Sequence, residues 1–164
     1  MDGMKAAVSR WEAGVCRSRM LRQPDGAALE AALAELDGEV CTELSLDRWE
    51  DGGGCLTVSG GPTDFLVTGE CDDGTLLQLC RAAEERTATD RGWGRAHLGG
   101  GAARRLEEDP RQLHPEDRAI WLVCGGQGAY FPPEELVDAA AARWAVRQFT
   151  AGFPDGLGVP WRVE

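Results

Sequence analysis

The chain has one lysine, one tyrosine, one isoleucine and no asparagine in 164 residues. It has no Cys-x-x-Cys pair and no apolar run approaching the roughly 18 residues of a membrane span. Each absence removes a class of protein. Without a long apolar run there is no candidate transmembrane helix. The opening MDGMKAAVSRWEAG has neither an apolar core stretch nor a small-residue cleavage site, so no secretory leader is expected there and the cytoplasm is the expected compartment. Without Cys-x-x-Cys, and with His97 and His114 far apart, no ligand spacing suits structural zinc. The glycines at 52–54, 99–101 and 125–128 are not followed by a lysine, so they read as turn glycines rather than phosphate cradles. No cofactor is expected. The excess of arginine over lysine and the missing asparagine are the codon bias of a GC-rich genome and carry no function.

What is present describes one globular domain spanning 1–164. A chain of this length removes about 70% of its unfolded surface from water in a single core, and 43% hydrophobic with 27% charged residues is an ordinary globular composition. Six cysteines, at 16, 41, 55, 71, 80 and 124, are loosely spaced in a domain large enough to fold without staples, and are expected as buried free thiols. The net charge is −11, which repels phosphate backbones and anionic lipid and favours a basic protein surface as partner. Direct nucleic-acid and membrane binding are therefore not expected. The acidity concentrates in residues 40–75, which hold eight acids against one arginine.

The pattern predicts an α+β fold, a single antiparallel sheet with a short N-terminal helix and a long C-terminal helix packed on it. From Gly26 to Leu36 the apolar residues Leu29, Leu33 and Leu36 recur at helical spacing, with Asp25 as N-cap and Gly38 as stop. From Cys41 to Arg81 short apolar runs (TELSLDRW, CLTVSG, DFLVTG, TLLQLC) alternate with Gly, Pro and Asp clusters and predict three or four strands in an antiparallel meander. Residues 82–117 support only weak strands around Trp93 to Leu98. The run from Ala119 to Cys124 fits a buried strand, and with Ala129 to Phe131 it forms a hairpin. A long helix is expected from Pro133 to Ala151, with Leu136, Val137, Ala140, Ala141, Trp144 and Phe149 as the stripe that packs on the sheet, and a last strand from Val159 to Val163.

No catalytic constellation is complete. His114-Pro115-Glu116 matches half of a zinc-deaminase signature, but Cys124 is the only cysteine after it, so the second half is missing. Ser59 follows a strand as a nucleophile elbow would, yet Thr57 stands where the first glycine belongs. Asp72-Asp73 and Glu107-Glu108-Asp109 are pairs that any acidic chain contains. An enzyme is not expected. The more specific expectation is an acidic partner-binding surface at Asp47, Glu50, Asp51, Glu70, Asp72 and Asp73, with Trp49 as an aromatic anchor.

The segment YFPPEELVDAAAARWAVRQFTAGFPDGLGVPW resembles the closing part of the Immunity protein 1 family of bacterial polymorphic toxin systems. A short strand runs through proline into an alanine-rich helix ending in Phe-x-x-Gly, and a proline turn then leads to a Trp-bearing last strand. The matching residues are Pro133, Glu134, Ala140, Phe149, Gly152 and Trp161. Two departures stand beside them: Pro154 follows Gly152 early, and Asp155 to Gly158 extend the final turn. The resemblance implies a small, non-enzymatic, cytoplasmic antidote that binds a cognate toxin domain, often one of deaminase fold acting on nucleic acid. Two other classes stay open: a non-catalytic acidic adaptor or complex subunit, and a small enzyme using paired carboxylates.

Overall fold

A computed structural model describes residues 3–48, 52–80, 119–152 and 161–163. Strands β1 (Lys5–Glu12) and β2 (Val15–Arg22) are followed by helix α1 (Gly26–Ala34). A meander then runs through β3 (Cys41–Asp47), β4 (Cys55–Gly60), β5 (Phe65–Glu70) and β6 (Leu76–Leu79). A hairpin, β7 (Ile120–Cys124) and β8 (Gln127–Phe131), precedes helix α2 (Ala139–Gly152) and the last strand, β9 (Trp161–Val163). The fold is α+β. Its main sheet is antiparallel with order β2-β1-β3-β4-β5-β6-β9, and β7 pairs only with β8.

Alternation along the strands divides the sheet into two faces. Ala6, Leu46, Leu56 and Leu77 lie in one cross-strand row, and Val8, Leu44, Val58, Val67 and Leu79 in the next. All nine are buried. Both helices cover this face: Leu29, Ala32 and Leu33 of α1, and Ala142, Ala145, Val146 and Phe149 of α2, complete the core. Glu30 of α1 meets Arg143 at 3.3 Å and Arg147 at 3.1 Å, two arginines one helical turn apart. These exposed pairs fix orientation more than they stabilise. The opposite face is polar, with Ser45, Thr57, Thr68 and Gln78 in one row.

The expected helix at Gly26 forms as read. The Asp25 carboxylate accepts from the Ala28 amide at 2.7 Å, capping α1. The meander has four strands, where three or four are expected. The β1–β2 hairpin was not legible, because its two-residue turn is Ala13-Gly14, with φ of +50° and +77°. Turns of this handedness are usually announced by Asn-Gly or Asp-Gly.

The helix expected from Pro133 starts later. Pro133–Glu135 make a single 3-10 turn, Leu136 is extended, and Val137 pairs with Phe65 through two backbone hydrogen bonds of 2.9 Å. Asp138 then caps α2, its carboxylate accepting from the Ala141 amide at 2.8 Å. The cause is tertiary: β6 stops short of Phe65, and Val137 fills the vacant edge position while Leu136 and Val137 bury their side chains. At 14 residues α2 spans about 21 Å. Its buried stripe is Ala142, Ala145, Val146 and Phe149, so Ala140 is exposed and Trp144 flanks the core instead of occupying its centre.

The run at Ile120 is also less buried than its composition suggests. Only Leu122 of β7 is buried, and Trp121 is 50% exposed. Of the six thiols, Cys41, Cys71 and Cys80 are buried, Cys55 and Cys124 are half-buried, and Cys16 is exposed on β2, against the expectation of burial. Trp93 to Leu98 and His114-Pro115-Glu116 lie outside the described residues.

Candidate partner-binding surface

The acidic residues of the meander converge at one end of the sheet because of register. Asp47 pairs with Cys55, and Cys55 with Glu70, so the two carboxylates stand on the polar face with one strand between them. Two interstrand spacings separate their backbones by about 10 Å.

The connections bring in the aspartates. Beyond β3 the chain folds back on itself: the Arg48 amide donates to the Gly54 carbonyl at 2.9 Å, and the Gly53 amide to the Arg48 carbonyl at 3.0 Å. Gly54, at φ +67°, lies against the Glu70 carbonyl, where a Cβ would collide with the oxygen. Gly52 faces the Asp72 carboxylate. The β5–β6 turn is closed by the Cys71 amide on the Thr75 carbonyl at 2.9 Å. The Thr75 hydroxyl, and after it the Thr75 amide that donates to Asp73 at 2.9 Å, hold its carboxyl below the ordinary value. Asp73 therefore belongs to the turn, and both it and Asp72 are exposed.

Asp47, Glu70, Asp72 and Asp73 are thus one cluster. Trp49, Glu50 and Asp51 lie outside the described residues, between Arg48 and Gly52. The field of the cluster is felt by its thiols. Burial and then Glu70 and Asp47 push the Cys55 thiol up, and burial with Asp73, Asp72 and Glu70 does the same for Cys71. The Arg48 guanidinium reaches the helix side and donates to the Phe149 carbonyl at 3.1 Å. That contact pins the C-terminal turn of α2. Among the described residues no group of three or more His, Cys, Asp or Glu side chains could hold a metal ion.

Ser59 is buried in mid-strand, paired with Glu43 and Leu66, and not presented at an exposed turn. It bonds the Cys124 thiol, which burial nevertheless pushes up to about 11. This interface seats the β7–β8 hairpin on the sheet, together with the Gly126 amide donating to the Thr42 hydroxyl at 3.3 Å. The outer side of the hairpin carries a feature that sequence reading missed. The half-exposed Trp121 ring meets Tyr130 edge-on, with centroids 5.0 Å apart. An aromatic pair of this kind suits a protein contact. Its only sequence signal was tryptophan abundance, which does not say which ring is exposed.

No family model, curated protein or solved structure matches the chain. Among the described residues no helix is long and apolar enough to cross a membrane.

Proposed function

We propose that the chain is a non-enzymatic antidote of the immunity type. It binds a cognate toxin domain, of deaminase fold and acting on nucleic acid, and fills the basic cleft where that toxin would hold phosphate. The carrying observation is the convergence of Asp47, Glu70 and Asp72 at one sheet end, held by two closed turns. A fixed cluster of negative charge steers encounter with a basic cleft and substitutes for the phosphate backbone.

The C-terminal residues shared with the Immunity protein 1 family support the same role. Phe149 is fully buried, Gly152 ends α2 at φ +122°, and Trp161 packs against Trp144. These positions maintain a fold and leave the contact surface free to follow its toxin. The free thiols of Cys41, Cys71 and Cys80 suit the reducing cytoplasm, where such an antidote acts.

The test uses the product of the gene encoded beside this chain, which this reading expects to carry a toxin domain. Asp47→Asn, Glu70→Gln and Asp72→Asn together should slow association and flatten its dependence on salt while the fold is kept, Asp72 being exposed and Asp47 and Glu70 half-buried. Full protection by the triple variant would move the contact surface elsewhere, and a neighbouring gene whose product does not bind would remove the antidote reading.

A further inference from the structure

The two edges of the main sheet differ. β9 offers three residues, whereas β2 offers eight, every one of them exposed except the half-buried Leu21. The β1–β2 register runs without a bulge from Lys5↔Arg22 to Glu12↔Val15. Beyond it the Gln23 amide donates to the Met4 carbonyl at 3.0 Å, which sets the phase of the ladder. Its hydrogen-bonded pairs are those of the even-numbered β1 residues. Cys16, Ser18, Met20 and Arg22 therefore turn their amides and carbonyls away from β1, and none of these groups bonds to another described segment.

Sheet edges are normally blunted by charged side chains, proline, a bulge or shortness. β2 has no proline, no bulge and eight residues, and of these devices it carries only charge. It has apolar side chains in the open, Val15 and Met20 each 56% exposed, and charge of a single sign. Arg17, Arg19 and Arg22 lie on β2 with no acid among them, in a chain of net charge −11. Two like-charged pairs, Lys5↔Arg22 and Arg10↔Arg17, face each other directly across the ladder. Such pairs cost sheet stability. Arg19 reaches Glu35 and Arg10 reaches Glu12, but Arg17 and Arg22 have no ion-pair partner among the described residues.

We infer that β2 accepts an extended acidic segment of a partner protein as an eighth strand. Main-chain bonds to Cys16, Ser18, Met20 and Arg22 supply the affinity, and alternation supplies the choice of sequence. Carboxylates at alternate positions meet Arg17 and Arg19 on the helix side, while apolar residues between them lie over Met20. A second copy of this chain fits poorly, because the antiparallel registers that keep the outward groups in phase and overlap most set Arg17 against Arg19, or Arg19 against its own counterpart. The inference uses no residue of the acidic cluster and does not depend on the antidote reading.

Amide exchange on the full chain tests it, with a peptide as long as β2 that alternates glutamate and valine, and a lysine–valine peptide as control. The acidic peptide should slow exchange at Cys16, Ser18, Met20 and Arg22 by about tenfold and leave the already bonded Arg17 and Arg19 amides unchanged. Met20→Pro removes an outward amide without touching the ladder, and should abolish the protection while unfolding stays as before. Arg17→Glu with Arg19→Glu should reverse the preference between the two peptides. Equal protection by both peptides, protection confined to other strands, or protection of these four amides that grows with protein concentration and no peptide would each overturn the inference.

Discussion

Asp47 and Glu70 face the same side of the sheet on either flank of Cys55, with one strand between them. Their charges, after burial, hold the thiol of Cys55 above its ordinary value. Asp47→Asn with Glu70→Gln should therefore lower that pKa. Alkylation of Cys55 near neutral pH, followed by peptide mass mapping, should be faster in the double variant than in the parent. An unchanged rate would show that burial alone controls the thiol.

Phe149 is fully buried against the sheet, while Trp144 is half-buried and tilts against Trp161 with ring centroids 6.4 Å apart. Phe149→Ala should cost about 3 to 5 kcal/mol in denaturant unfolding. Trp144→Ala should cost less, about 2 kcal/mol, because part of its ring is already in water. The reverse order would mean that α2 is rotated about its axis.

Asp138 and Pro133 distinguish the observed start of α2 from the one that the sequence suggests. Asp138→Ala removes the cap on Ala141 and should cost about 1 kcal/mol with some loss of helical signal. Pro133→Ala, outside the helix, should leave the helical signal unchanged. Circular dichroism with urea titration decides between the two.

Asp37 organises the turn between α1 and β3. Burial opposes its ionisation, but bonds from the Glu39, Val40 and Cys41 amides, at 2.8, 2.8 and 2.9 Å, outweigh it and hold the carboxyl below 3.8. A carboxyl depressed in the folded state stabilises above its unfolded value and loses that contribution as pH falls through the folded one. Asp37→Ala should thus cost about 1 kcal/mol at pH 7, and the gap to the parent should narrow as pH falls below about 3.9. A gap constant over that range would assign the cost to the loop rather than to the charge.

Local pattern was enough wherever an element carries its own signal. α1 has a cap and an apolar spacing that no other structure satisfies as well, and β3 to β6 alternate between breaks of Gly, Pro and Asp. The surplus of acids in residues 40–75 was equally plain from composition. Nothing local announced β2, because VCRSRMLR buries almost nothing and an edge strand needs only one neighbour to bond to. Nor could Leu136 and Val137 be separated from the helix that follows, since apolar residues suit a buried turn and a helix stripe alike. The vacant position beside Phe65 decided between them.

The same division holds at the acidic surface. Composition determined that the meander would be negative, but the meeting of Asp47 with Glu70 depends on register, and the placement of Asp72 beside Gly52 depends on two turns closing against each other. A shift of one residue in β4 would have sent Cys55 and its neighbours to the opposite face. Charge and periodicity are properties of a segment and can be read along it. Which backbone pairs with which is chosen by the whole sheet, because each strand's hydrogen bonds are completed only by a partner distant in the chain.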